Sequence, residues 1–288
     1  MLIKTLDQLL LCCPYHALNS IEKIINMLRS LWIAKTGMDS QQFNLDVISN
    51  NLANASTTAF KRVQPMFQDL MYTSLRAAGS SANAQNLLPT GLQIGAGAAV
   101  TSTERNNIQG PLVQTGNQLD VAIQGNGFFQ IQLADGTLAY TRNGQFSLSA
   151  TGQIVTQAGN TVSGAGVIPS TATGIVINQA GLVQYSTQGN TQLTQAGQIT
   201  MANFVNPAGL TALGNGNFLP SPSSGSPQNN IAGTNGMGTI NQYFTENSNV
   251  NVAEELVNLI AAQRAYEINT RAVTASDQIL QRVSNMGQ

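Results

Sequence analysis

From Ile24 onward the apolar residues fall on a seven-residue grid: Ile24, Leu31, Met38, Leu45 and Leu52 at one position, with Met27, Ala34, Gln41, Ile48 and Ala55 three or four residues off it. A stripe of that period covers one face of an α-helix and suits packing against another helix, Gln41 being the polar exception. The helix is expected to run to about Ala53. Beyond it lie Asn54, Ser56, Thr57 and Thr58, whose short polar side chains compete with helical hydrogen bonds. The far end mirrors this. Asn251 followed by Glu254 reads as a capping box, so a second helix should start near Val252. Its stripe is Leu259, Ala262, Tyr266, Asn269, Val273, Ser276, Leu280 and Val283, and Gly287 follows as a stop. Each helix has about 30 residues and a length of about 45 Å at 1.5 Å per residue.

Between the helices the periodicity drops to two. Short β-prone runs, Val121 to Ile123, Phe128 to Leu133, Leu138 to Thr141 and Phe146 to Leu148, alternate with Gly125-Asn126-Gly127, Ala134-Asp135-Gly136, Asn143-Gly144 and Thr151-Gly152. Asn-Gly and Asp-Gly supply the positive φ angles of tight hairpins, which predicts an antiparallel, turn-rich domain. A second β set follows through Ile175 to Ile177, Leu182 to Tyr185 and Ile199 to Val205. Pro220 to Gly238 is rich in Ser, Pro, Gly and Asn and reads as an extended connection. Residues 71–110 carry few regular signals, and pattern alone favours a loop there. The expected fold class is α+β: N- and C-terminal amphipathic coiled-coil helices flanking a mostly antiparallel β domain. The expected divisions are 27–70 (N-terminal helix), 71–118 (extended linker), 119–220 (β domain), 221–247 (return linker) and 248–288 (C-terminal helix).

Two striped helices at opposite ends of a chain with a β middle must bury their stripes on each other or on neighbouring copies. Each fully buried Leu, Ile or Met contributes roughly 1.5 to 3 kcal/mol, so five or six per helix supply on the order of 10 kcal/mol before entropy is counted. A single helix pair recovers part of this. A ring or tube of many copies covers the remaining faces, and a head-to-tail contact that does not close yields an open filament. The plainer alternative is an intramolecular helical hairpin in an ordinary soluble protein.

Composition sharpens the picture. Only 9% of the 288 residues are charged, against about 25% in an average soluble domain. Gln, Asn, Thr, Ser and 27 glycines make up the difference. A formal net charge of −1 offers no electrostatic footprint for nucleic acid or an anionic surface. A surface poor in charge repels its own copies weakly, which permits close packing. No run of apolar residues is long enough to span a bilayer as a helix.

Residues 1–26 stand apart. They hold both cysteines, Cys12 and Cys13, and the one histidine, His16. As a secretory signal the segment is poor, because Asp7 and Gln8 interrupt its apolar run and no small-residue cleavage site follows. The expectation is an extension of doubtful standing ahead of a working start at Met27. From Met27 on there is no Cys and no His, which removes thiol nucleophiles, imidazole bases, disulfides and nearly all zinc or copper sites. Glu254 and Glu255 lie at a helix start and Asp120 and Asp135 among turn signals, so no acid/base pair stands out. No catalytic residue, cofactor or metal is expected.

The motifs add a resemblance. Asn50-Asn51-Leu52-Ala53-Asn54-Ala55-Ser56-Thr57-Thr58-Ala59-Phe60-Lys61 resembles the N-terminal signature of flagellar rod and hook subunits. Ser248-Asn249-Val250-Asn251-Val252-Ala253-Glu254-Glu255, with Gln263 to Glu267 and Asn269, resembles their C-terminal signature. Gly125 to Phe129 and Tyr140 to Phe146 are similar to their β domain. The likeness covers nearly everything from Met27 to Gln288, and its motif residues are Asn51, Leu52, Ala53, Asn54, Thr57, Phe60 and Lys61. Tyr72 to Gly97, with Leu88, Pro89, Gly91 and Ile94, resembles an insertion typical of distal rod subunits.

The resemblance implies a structural subunit that polymerises into a rigid hollow shaft, its helices lining an inner tube and its β domain outward. The insertion packs between neighbours, and the shaft carries torque to the hook. It implies contacts with other copies, proximal rod proteins, hook protein, the peptidoglycan and outer-membrane rings and the flagellar export apparatus. Export would need no cleaved signal, and the shaft would cross the periplasm. Leu31, Met38, Leu45, Ile48, Leu52, Leu259, Tyr266, Val273 and Leu280 become interface candidates, or intrachain core on the plainer reading. The rivals are another axial protein, proximal rod or hook, and a secreted β-rich adhesin, which has no need of striped helices at both ends.

Overall fold

The N-terminal helix runs unbroken over Cys13–Ala53 and ends where the Asn and Thr cluster begins. The computed structural model describes residues 13–79, 81–83, 86–87, 89–188 and 190–286. The readings for residues 1–12, Leu88 and Gly287, and for the side chains of Ile24, Met27 and Val283, lie outside the described residues. The second helix spans Val252–Met286, with Glu254 and Glu255 in its first turn at the positive end of the helix dipole. With a mostly antiparallel β region between these helices, the fold is α+β.

The chain forms two compact units. One comprises the chain up to Ser49, Gln64–Thr103 and the chain from Ala253; the other comprises Asn50–Val63 and Glu104–Val252. In the first, the helices meet directly. A Cβ at Gly37 would lie 3.0 Å from the side-chain nitrogen of Asn269, and Thr270 Oγ1 is 3.6 Å from Met38 Sδ. The stripe read from the C-terminal sequence is the face this unit covers. Ala262 is buried, Leu259, Asn269, Val273, Ser276 and Leu280 are half-buried, and Tyr266 at the margin is exposed. On the N-terminal helix Ile48 is buried, and Leu31, Met38 and Leu45 are half-buried.

Much of the stretch read by pattern as loop is paired strand. Val63–Asp69 pairs with Ala98–Arg105, and Tyr72–Arg76 runs antiparallel to Leu92–Gly95 with Tyr72 opposite Gly95. Gly97 has φ +112°, and a Cβ there would collide with Thr36 Oγ1. Glycine is thus needed both for the turn and for the close approach to the helix. Beside it Ser40 Oγ donates to the Ala98 carbonyl at 3.2 Å.

The second unit is built on strand Phe128–Gln132. It pairs antiparallel with Leu138–Thr141, Thr161–Val162 and Met201–Asn203. Through these the sheet reaches Phe146–Leu148 at one edge and Thr211–Gly214 at the other, nine strands among the described residues. Alternation along the central strand makes two cores. Phe129 and Ile131 face Val121, Ile123, Phe146, Ile154 and Ile240, whereas Phe128 faces Tyr140, Phe204, Leu210 and Phe218. Rings meet edge to face, Phe129 on Phe146 at 5.3 Å and Tyr140 on Phe204 at 4.9 Å. A further sheet joins Ala172–Ile177, Leu182–Thr187 and Asn190–Gln198.

Residues 221–247, expected as a return linker, contribute three strands. Gln228–Asn230 pairs with Met201–Asn203, Thr239–Gln242 with Val121–Gln124, and Phe244–Glu246 with Leu112–Gln114. Gln228-Asn229-Asn230 has no apolar alternation, so its pairing was invisible to a pattern built on hydrophobic period.

Candidate functional site

Within the second unit the N-terminal motif, the strand before the C-terminal helix and the β sheet converge on one carboxylate. After Ala53 the chain descends through turns, Asn54 N to Asn50 O at 3.1 Å and Thr57 N to Asn54 O at 3.1 Å, with Thr57 Oγ1 donating to Asn54 Oδ1. Ala59 then takes a left-handed φ of 59°, an uncommon conformation for an alanine. That kink lets its amide donate to the Glu246 carbonyl at 2.7 Å and turns Lys61 inward.

Glu246 is buried between two cations, its side chain 1% exposed. Lys61 Nζ (2.5 Å) and the Gly110 amide (2.9 Å) donate to its Oε1, and Arg142 Nε (2.7 Å) donates to its Oε2. Both cations make further bonds. Lys61 Nζ reaches the Ile108 carbonyl at 2.8 Å. Arg142 Nη1 reaches the Gly127 carbonyl, and its Nη2 those of Gly125 and Ile123. Burial alone would raise the Glu246 carboxyl, but Arg142 and Lys61 outweigh it and hold the group below its ordinary value. Burial draws the Lys61 ammonium down, with Glu246 offsetting part of that. The trio is buried, and each of its charged nitrogens and oxygens has a partner, which suits a joint and not a reacting centre.

Two asparagines brace the same joint. Asn51 Oδ1 accepts the Val63 amide at 3.0 Å while its Nδ2 donates to the Val63 carbonyl at 2.8 Å, so one side chain acts as a strand partner. Asn249 Oδ1 accepts the Arg62 amide at 2.7 Å, and its Nδ2 donates to the carbonyls of Asn106 and Ile108. A cavity of about 820 Å³ adjoins the motif, walled by Asn54, Thr57 and Phe60 on one side and Asn143, Gln145 and Gln157 on the other.

The structure thus divides the predicted residues. Asn51 and Lys61 are in the joint, while Asn54, Thr57 and Phe60 line the cavity. Leu52 is half-buried and Ala53 exposed. In the insertion, Pro89 and Gly91 are exposed, and Ile94 is half-buried in the hairpin opposite Thr73. Arg142 and Asn249 stand in the sequence only as members of motif stretches, with no role attached, and Glu246 lies outside every motif. With so few charges in the chain, a Glu and an Arg inside β-prone runs were the available signal.

The C-terminal helix also carries a second stripe. Val257, Ala261, Arg264, Ile268, Ala272, Ala275 and Ile279 are spaced by three and four, and all are exposed. At 100° per residue this face points about 130° away from the covered one.

Family comparisons place these elements in one class. Residues 31–61 match the family "Flagella basal body rod protein", residues 122–185 "Flagellar hook protein FlgE/F/G D1 domain", and residues 241–286 "Flagellar basal body rod FlgEFG protein C-terminal". The first span ends on Lys61 and the third includes Glu246, so two of the matched spans each supply a residue of the joint. The chain is 49% identical over 260 residues to the flagellar basal-body rod protein FlgG of Buchnera aphidicola from Acyrthosiphon pisum, covering 90% of this chain and 100% of that one. It is 37% identical over 266 residues to FlgG of Bacillus subtilis, covering 90% and 99%. The flagellar hook-basal body complex protein FlhP of the same bacterium is 28% identical over 277 residues, covering 90% and 100%. The chain belongs to the FlgG family of flagellar basal-body rod proteins.

Proposed function

We propose that this chain is a structural subunit of the flagellar distal rod, polymerising with its own copies into a hollow shaft that transmits motor torque to the hook. The higher identity to FlgG than to FlhP favours the distal rod over another axial role. The observation that carries the assembly mechanism is the two-sided C-terminal helix. One stripe is covered within the chain, while Val257 and Ile268, each 65% exposed, and Ile279, 52% exposed, head a second that the chain leaves in water. A helix with two apolar faces needs two neighbours, and further copies of the chain supply the second.

The candidates Leu31, Met38, Leu45, Leu52, Leu259, Val273 and Leu280, half-covered in one chain, divide their surface between intrachain packing and neighbouring subunits. Tyr266, on the covered stripe yet exposed in one chain, is free to meet a neighbour. The hairpin around Leu92 and Ile94, with Met71, Tyr72, Leu75 and Leu92 exposed, packs between subunits and stiffens the shaft. Its role is structural and not catalytic, in keeping with the rod proteins it resembles. Proximal rod, hook, the peptidoglycan and outer-membrane rings and the export apparatus are its further partners. Its place is the basal body across the periplasm; among the described residues no helix is long and apolar enough to cross a membrane.

The test is Ile268→Asp in the full chain. Polymer should be lost by electron microscopy and sedimentation while the circular dichroism of the β unit is unchanged. Polymer at the parental concentration would contradict the assignment.

A further inference from the structure

We propose that Glu246 is a positioning residue: its carboxylate sets the register of the two segments that run into the terminal helices, a role served by direction and not by stability. The proposal rests on the self-assembly reading, since a subunit must present its helices from a fixed root. The strand that carries Glu246 is short. It pairs through Phe244 with Gln114, Thr245 with Val113 and Glu246 with Leu112. Tyr243 before it and Asn247 after it are exposed, and Phe244 is half-buried, so little apolar burial specifies its register.

The polar contacts supply what packing does not. Glu246 is gripped through its main chain by the Ala59 amide and through its side chain by Lys61, Gly110 and Arg142. Arg142 in turn is fixed by three carbonyls of the 123–127 segment. A one-residue slip would swing the carboxylate to the other face of the strand and leave two buried cations together. Apolar side chains of similar volume would fill the space without that directional demand. A buried charged trio is weak evidence for stability, and replacing one with apolar residues is often neutral or favourable. Its worth here lies in geometry.

Two full-length variants separate these roles. Lys61→Met/Arg142→Met/Glu246→Leu removes the trio together, and Glu246→Asp keeps the charge but shortens its reach. The readouts are thermal melting, polymer formation, and amide exchange at Ala59, Arg62, Val63 and Asn247 in the monomer. The triple variant is expected to melt close to the parent while those amides exchange about tenfold faster and polymer is lost. Parental exchange and parental polymer would overturn the proposal. Should the triple variant not fold, Glu246→Asp decides, with the same acceleration expected and parental exchange overturning it. The exchange is read in the monomer, so it stands apart from polymerisation. If the unmodified chain fails to polymerise, the self-assembly reading falls while the exchange still judges the role of Glu246.

Discussion

The two units of this chain solve the burial problem in opposite ways. The β unit closes its core: Val121, Ile123, Phe129, Ile131 and Ile240 are fully buried, each charged nitrogen and oxygen of its trio has a partner, and single apolar side chains such as Ile108 and Val205 lie at its surface. The helical unit covers one stripe and leaves Trp32, Val257, Ile260, Ile268 and Ile279 exposed. Apolar area left in water forfeits roughly 25 cal/mol per Å², which neighbours can recover. A chain with closed cores in one unit and a striped apolar helix face left open in the other is suited to exist folded as a monomer and finished only in an assembly.

The largest effect that would sharpen this contrast is Glu246→Gln. It leaves Lys61 and Arg142 as uncompensated cations in the β unit and is expected to cost about 3 to 5 kcal/mol, read from the urea midpoint. Next is Ile131→Ala, expected to cost about 2 to 5 kcal/mol because Ile131 lies in the closed core. The Ile268→Asp change belongs at the other extreme, shifting monomer stability by less than about 0.5 kcal/mol while removing polymer. Equal monomer destabilisation at both sites would break the comparison.

Acid offers a third handle. Glu246 is held below its ordinary value near 4.5, so its contribution is fully present above that pH and is lost as pH falls through the lowered value. A stability profile taken downward from pH 5 should fall more steeply in the parent than in Glu246→Gln. A small effect of the opposite sign is expected at Ala59, whose left-handed backbone suits glycine better; Ala59→Gly should stabilise by about 0.5 to 1 kcal/mol in the same urea assay.

Local signals in the sequence carried far. The Asn54 to Thr58 cluster marked the end of the first helix, Asn251 and Glu254 marked the start of the second, and the stripe from Leu259 to Leu280 is the face the chain covers. The joint was not legible, because Lys61, Arg142 and Glu246 are distant in the chain and no local period links them. Lys61 stood out as a motif residue, but nothing in the sequence said which carboxylate it meets. The second stripe, from Val257 to Ile279, was present but hidden by its alanines and by Arg264, and a reading that seeks one apolar face stops at the first. Between Gln228 and Asn230, backbone pairing formed without any apolar alternation to announce it.

The central claim is that the β unit is complete in one chain and the helical unit is completed by neighbours. Amide exchange compared between monomer and polymer tests it most directly. Peptides over Val121–Gln124 and Phe128–Gln132 should be equally protected in both states, while those over residues 257–279 should gain protection only in the polymer. Helix peptides already as protected in the monomer as the central strands, with no gain on assembly, would contradict the account.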